Sequence, residues 1–382
     1  MTEIQEPVRP FPRRVALVHD WLTGMRGGER ALEAICDLFP DATRFALLHV
    51  PGSVSETIEA RPIHTSFIQW FPQSHRYYRM LLPLFPAAVE QFDLDEFDLV
   101  ISTSHCAAKS VVPPGRTPHL CYCFTPMRYA WDQFDAYFGA ERVGAAASRL
   151  LRVGLSAMAR WDVATAGRVS RYVAISQYVA GRIRRYYNRG ASVVYPPVDT
   201  TLFQPSGDPP DPYFLIVSAL VPYKRVDLAI RACALAGVSL RIVGSGPEEA
   251  RLRDAAGPDV TFLGALPDEQ VRTVYQAATA VLLPGVEDFG IVPVEAQACG
   301  RPVVALGRGG ACETVVDGRT GVLVADPTDT AFAAGIDRVR QSRFDATVIR
   351  QHAVRFSRAR FHAAFAQEVD QVMSAPAGRA IQ

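Results

Sequence analysis

Short apolar runs alternate with amphipathic stretches twice along this chain. In the first half, RVALVHD (residues 14–20), DLVISTSH (98–105), HLCYCFTP (119–126) and YVAIS (172–176) read as buried strands that end in polar residues. The first of them runs into a glycine-bearing loop, WLTGMRGGE, and then a helix from about Arg30 to Phe39. In the second half, YFLIVSAL (213–220), SLRIVG (239–244), VTFLG (260–264), AVLLP (280–284), PVVAL (302–306) and GVLV (321–324) repeat the rhythm. Repeated βα units imply parallel, doubly wound sheets with right-handed crossovers. The break falls in VVYPPVDTTLFQPSGDPPDPY (193–213), whose Pro, Asp and Gly cannot continue a helix. An N-terminal Rossmann-like domain is therefore expected over 1–200 and a C-terminal one over 201–356. From residue 357, SRARFHAAFAQEVDQVM is amphipathic and predicts a last helix, followed after Ser374 by a small, polar tail.

Composition narrows the classes. With 382 residues, 49% of them hydrophobic and 21% charged, the chain can bury two cores. A net charge of +1 argues against a strongly cationic nucleic-acid binder. Its seven cysteines include no C-x-x-C pair, which fits a reduced, cytosolic protein. The N-terminus, TEIQEPVRPFPRR, has no apolar core, and no stretch approaches the ~18 apolar residues of a membrane span. The expectation is a protein that neither enters the secretory route nor crosses a membrane. Among the basic residues only Lys109 and Lys224 are lysine, so these two positions favour a compact ammonium over a planar guanidinium.

Candidate chemistry concentrates in PGVEDFGIVPVE (284–295). Glu287 falls in the loop at the C-terminal end of a strand, where open α/β sheets bind ligands. Gly290 lets backbone approach a ligand, and the N–H groups of Gly290, Ile291 and Val292 would sit at a helix N-terminus suited to phosphate. Glu295 lies in the first turns of that helix, where its carboxylate can accept paired hydroxyls. The plainer reading is a capped helix with two solvated carboxylates. A second motif, VSALVPYKRVD (217–227), places Lys224 and Arg225 near the next helix start, where they could neutralise a diphosphate.

The two glutamates with their DFGIVPVEA context resemble the E-x7-E motif of retaining glycosyltransferases of family 4, which have the GT-B fold. That resemblance implies two doubly wound Rossmann-like domains facing each other across a deep cleft, the last helix (357–382) crossing back to the N-terminal one. It implies that Glu287 contacts hydroxyls of a donor sugar and Glu295 holds the ribose of its nucleotide, with Asp288, Phe289, Gly290, Ile291 and Val292 completing the donor site. Lys224 stands at the family's phosphate-gripping lysine; where many relatives carry an arginine this chain has Ala219, so either Arg225 takes over, the preferred reading, or the phosphate grip is weaker. The GMRGGE loop resembles the glycine-rich loop beneath the donor phosphates and brings in Gly27 and Gly28; FLGAL would border the base through backbone groups at Gly264.

CYCFTPMRYAWD (121–132) resembles the bacterial polysaccharide branch, in which a histidine that contacts the sugar precedes Thr-Pro-Met-Arg-Tyr. Phe124 occupies that place here, and His105, at a strand tip, is the local substitute. Arg128 and Lys109 become acceptor or phosphate contacts by the same resemblance. GSGPE (244–248) lacks the third glycine of a dinucleotide fingerprint and reads as a structural turn; Asp93-Leu94-Asp95 precedes its strand and reads as structural, not as a metal site.

The function these motifs imply is metal-independent, retaining transfer of a hexose to a hydroxyl of a glycan or a polyprenyl-diphosphate-linked acceptor, with no cofactor. The departing diphosphate takes the acceptor proton while the protein supplies orientation and charge stabilisation. Resemblance to mannosyltransferases makes GDP-mannose the first donor, with UDP-glucose and UDP-galactose open. A catalytically weak nucleotide-sugar or glycan-binding subunit is the alternative from another class; an epimerase would need an acid and a base that the sequence does not place. Nine arginines against one acidic residue over 149–189, with the apolar YYRMLLPLFPAAV (77–89), suggest contact with an anionic inner membrane face or with a pyrophosphate-linked lipid acceptor, or else a solvated helix surface.

Overall fold

The computed structural model describes residues 14–131 and 144–375. The Pro-rich N-terminal stretch, Asp132 and the end of the tail lie outside them. The chain forms two compact units. The first groups residues up to Ile175, Val179–Val194 and the chain from His362; the second groups Ser176–Tyr178 with Tyr195–Phe361.

The first unit holds seven parallel strands: β1 (Val15–His19), β2 (Thr43–Ala46), β3 (Ile63–Thr65), β4 (Leu99–Ser104), β5 (His119–Cys123), β6 (Arg171–Ala174) and β7 (Ala191–Val193). Their order is β3-β2-β1-β4-β5-β6-β7, so the sheet winds outward in both directions from the β1/β4 pair. β1, β4 and β5 are buried along their whole length, which is why their sequences are largely apolar, with polar residues at strand ends. β2, β3 and β7 escaped the sequence reading because they are three or four residues long and partly exposed. Trp21, Phe45, Phe85, Val100 and Met127 belong to one core cluster beside this sheet.

The second unit holds β8 (Tyr213–Val217), β9 (Ser239–Val243), β10 (Val260–Gly264), β11 (Ala280–Leu283), β12 (Val303–Leu306) and β13 (Gly321–Val324), in the order β10-β9-β8-β11-β12-β13. All the pairings are parallel, and the winding reverses at β8/β11. Arg350 fastens the entry segment: its guanidinium donates to the carbonyls of Phe203 (2.8 Å), Thr200 (2.8 Å) and Ala298 (2.6 Å).

The last helix runs Arg358–Ser374, and from His362 it groups with the first unit. Phe365 meets the Tyr122 ring edge-on at 5.7 Å, and the buried Glu368 pairs with Arg171 of β6 and accepts from Ser192 at 2.7 Å.

One helix starts earlier than its sequence suggests. Gly27 and Gly28 lie not in a loop but in the first turn of Gly27–Leu38. Arg26 is extended and its N–H donates to Glu29 Oε2 at 3.1 Å, so a carboxylate three residues on secures a start that glycine alone disfavours.

Candidate functional site

Doubly wound sheets bind ligands beyond the strand ends where the winding reverses. In the second unit that point is β8/β11, and its loops carry Lys224 and Glu287. β8 leads through a 3-10 turn, Pro222–Lys224, to Arg225, which is left-handed (φ 53°, ψ 38°) and caps the helix Val226–Ala236. A non-glycine residue held there costs of order 1 kcal/mol and marks a loop fixed by its surroundings. β11 leads to Gly285, where a Cβ would stand 2.6 Å from the Tyr223 carbonyl oxygen and 2.9 Å from Lys224 Cα. That backbone contact brings the Lys224 ammonium onto Glu287 Oε1 as an ion pair. Glu287 is 9% exposed, and its carbonyl accepts from Gly310 N–H at 2.8 Å, tying in the loop after β12.

Gly290 (φ 89°) caps the helix Ile291–Ala298, as a residue free of Cβ strain. Pro293, without an N–H, sits in the first turn, where helix donors have no internal partner. On the same helix Glu295 is 8% exposed and accepts from the Tyr275 hydroxyl at 3.0 Å. Asp288 is buried, its carbonyl accepting from Ser176 Oγ at 2.5 Å. Phe289, expected to help complete the donor site, is 2% exposed and its ring stacks on Tyr195 at 5.6 Å, so its side chain is buried. Arg225 Nε lies 3.4 Å from Asp227. Gly264 (φ 70°) ends β10, its carbonyl accepting from Gly244 N–H at 2.7 Å, and the GSGPE turn packs its glycines on the backbone of Ser218 and Leu220.

In the first unit the winding reverses at β1/β4, and His19, Asp20 and His105 gather at those strand ends. Asp20, fully buried, accepts the N–H groups of His105 (2.7 Å), Cys106 (2.9 Å), Ala107 (2.6 Å) and Ala108 (2.8 Å). His105 Nδ1 lies 3.1 Å from the same carboxylate. Burial lowers the His105 pKa, with His19 and Arg128 acting the same way and Asp20 and Glu29 opposing, so the imidazole is neutral near pH 7. The Phe124 ring lies 6.3 Å from both His19 and His105, and a Cβ on Gly28 would stand 3.4 Å from it. With His19 and His105 6.2 Å apart, the three rings stand as a near-equilateral triangle. Glu29 is also there: burial pushes its carboxyl up, but His19 and backbone hydrogen bonding together bring it below the usual value.

Sequence reasoning missed Asp20, whose carboxylate is bound by N–H groups at least 85 residues away that leave no local signal. Arg128 heads the short helix Arg128–Trp131. Lys109 does not act as an acceptor or phosphate contact. It is 1% exposed, and its ammonium meets Asp162 Oδ1 (3.0 Å), the Asp162 carbonyl (2.7 Å) and the Ser110 and Thr165 hydroxyls (3.2 Å each), leaving no donor for a ligand. Asp93 accepts the Asp95 N–H at 3.1 Å within a turn before β4.

Residues 199–357 match the family model for glycosyl transferases group 1. The matched segment falls within the second unit and contains Lys224, Glu287 and Glu295. The chain is similar over part of its length to D-inositol 3-phosphate glycosyltransferases, at 38% identity for that of Mycobacteroides abscessus and 37% for that of Mycolicibacterium smegmatis. Each similarity covers 43% of this chain; it spans 43% of the first relative and 44% of the second, less than half of either protein. Among solved structures, Anabaena HepE in complex with UDP and glucose superposes with a TM-score of 0.70 at 21% identity, over 93% of this chain and 99% of that one. The apo lipopolysaccharide outer core galactosyltransferase WaaB does so at 0.64 and 17%, over 94% and 99%. The fold class is therefore GT-B, with two Rossmann-like domains of seven and six parallel strands.

Proposed function

We propose that this chain is a retaining, metal-independent glycosyltransferase that moves a hexose from a nucleotide sugar to an acceptor hydroxyl. The observation that carries the reading is the Lys224–Glu287 ion pair at the β8/β11 reversal, inside the segment that matches glycosyl transferases group 1. Lys224 and Arg225 supply positive charge for a leaving diphosphate, beside the N–H groups that open the Ile291–Ala298 helix. Glu287 would engage sugar hydroxyls and Glu295 the ribose. His105, neutral and partly exposed at the other sheet's reversal, would accept from or donate to a hydroxyl rather than carry charge.

GDP-mannose is the proposed donor, on the resemblance of residues 121–132, and a glycan or polyprenyl-diphosphate-linked sugar is the proposed acceptor. UDP-glucose, which is bound in a HepE structure, is the second donor. A panel of nucleotide sugars tests both: the correct donor raises the melting temperature in proportion to its affinity and releases its nucleoside diphosphate on transfer. No stabilisation by any member would sink the reading.

We also place this activity at an anionic membrane surface on the cytoplasmic side. Among the described residues no helix is long and apolar enough to cross a membrane. What supports surface contact is the stretch 67–84, where Trp70 (82%) and Met80 (80%) stand exposed beside Arg76 and Arg79 with no acidic residue between. The arginines of 149–189 contribute less than their number suggests, since Arg168, Arg171, Arg182 and Arg189 bond within the unit. Flotation with phosphatidylglycerol liposomes at low salt is expected to carry the protein, and Trp70→Ala to weaken this; an unbound wild type refutes it.

A further inference from the structure

We propose that Tyr275 is a positioning residue for Glu295, and that its hydroxyl sets the carboxylate to recognise the vicinal diol of a ribose. This rests on the nucleotide-sugar reading above. The terminal torsion of a glutamate is broad, so a carboxylate that must meet two hydroxyls at once gains from a fixed orientation. Tyr275 supplies one. It lies on the helix Asp268–Ala277, is fully buried, and donates to Glu295 Oε2 at 3.0 Å. A hydrogen bond to a charged acceptor is roughly twice as strong as a neutral one, so even at this separation it biases the torsion.

The phenol is itself held. Its ring meets Phe203 edge-on at 5.7 Å, and the Phe203 carbonyl is bound by Arg350, which also binds the Ala298 carbonyl at the end of the Glu295 helix. Arg350, Phe203, Tyr275 and Glu295 therefore form a continuous chain of contacts that restrains the carboxylate. A role confined to satisfying a buried hydroxyl would affect stability and leave ligand discrimination alone.

The test measures affinities of the full chain for GDP and 2′-deoxy-GDP, and for UDP and 2′-deoxy-UDP, by calorimetry. The wild type is expected to favour the ribose form of the accepted pair by about 10-fold, the scale of one hydrogen bond to a charged group. Tyr275→Phe keeps the ring that fills the buried space. It is expected to cut that preference to about 3-fold or less by weakening the ribose form alone, and Glu295→Gln to remove it. A wild-type ratio in Tyr275→Phe, with Glu295→Gln flattened, overturns the role of Tyr275 and leaves the donor site standing. A wild type that binds neither pair overturns both.

Discussion

At the scale of single residues, the ion pair between Lys224 and Glu287 is the feature most open to experiment. Lys224→Ala removes a cation from the proposed diphosphate site, and Glu287→Ala removes a hydroxyl acceptor. Each is expected to slow transfer by about 100-fold or more, because such groups act where charge develops. Both residues sit on loops, so the melting temperature should move by only a few degrees. Wild-type rates in either variant would remove that residue from the mechanism. The placement of Glu287, Glu295 and Lys224 on a loop, a helix start and a turn was legible in the sequence, because an apolar strand, a glycine and a helix start are all local signals. Asp20 was not legible, since its meaning comes from four backbone donors on a distant loop. Lys109 misled for the matching reason: a rare lysine announces a requirement for an ammonium but not whether its partner is a ligand or a buried Asp162.

At the scale of elements, the site is built by loops that touch backbone to backbone. A Cβ on Gly310 would stand 2.3 Å from Phe289 Cα, and one on Gly309 2.5 Å from the Glu287 carbonyl oxygen. Gly285→Ala is the cleanest probe, because its methyl would collide with backbone at Tyr223 and Lys224 rather than with a movable side chain. It should cost about 1–3 kcal/mol of stability, the range for forcing a methyl into packed space. It should also displace the Lys224 loop, so that transfer falls more than stability explains. Donor affinity equal to wild type in folded Gly285→Ala would show the loop to be more yielding than its contacts imply. The long apolar strands could be read from sequence because burial on both faces leaves no polar alternation to confuse them. The short β2, β3 and β7 and the glycine start of Gly27–Leu38 depend on neighbours: pairing partners in one case, the Glu29 cap in the other.

At the scale of the whole molecule, buried imidazoles make stability depend on pH. His119 is fully buried, with Nε2 2.7 Å from Ser102 Oγ and Nδ1 3.2 Å from the Arg168 carbonyl, an arrangement that suits a neutral ring. Burial brings its pKa from 6.5 to about 4, and His352 is likewise lowered to about 4, mainly by burial. Between those values the unfolded chain binds the protons and the native state does not. The stabilisation is complete above pH 6.5 and drains away as pH falls toward 4. Urea midpoints should therefore drop between pH 7 and pH 5, and by less in a folded His119→Gln variant; a flat profile in the wild type would contradict this. The two lysines add a last consequence at this scale. Lys109 is sealed at 1% side-chain exposure and Lys224 stands at 21%, so the chain offers amine chemistry one lysine within reach. An acylating reagent, with the label located by peptide mass, would modify Lys224, and a bound diphosphate would shield it. Occupancy of the donor site could then be read in intact protein without knowing which sugar it carries.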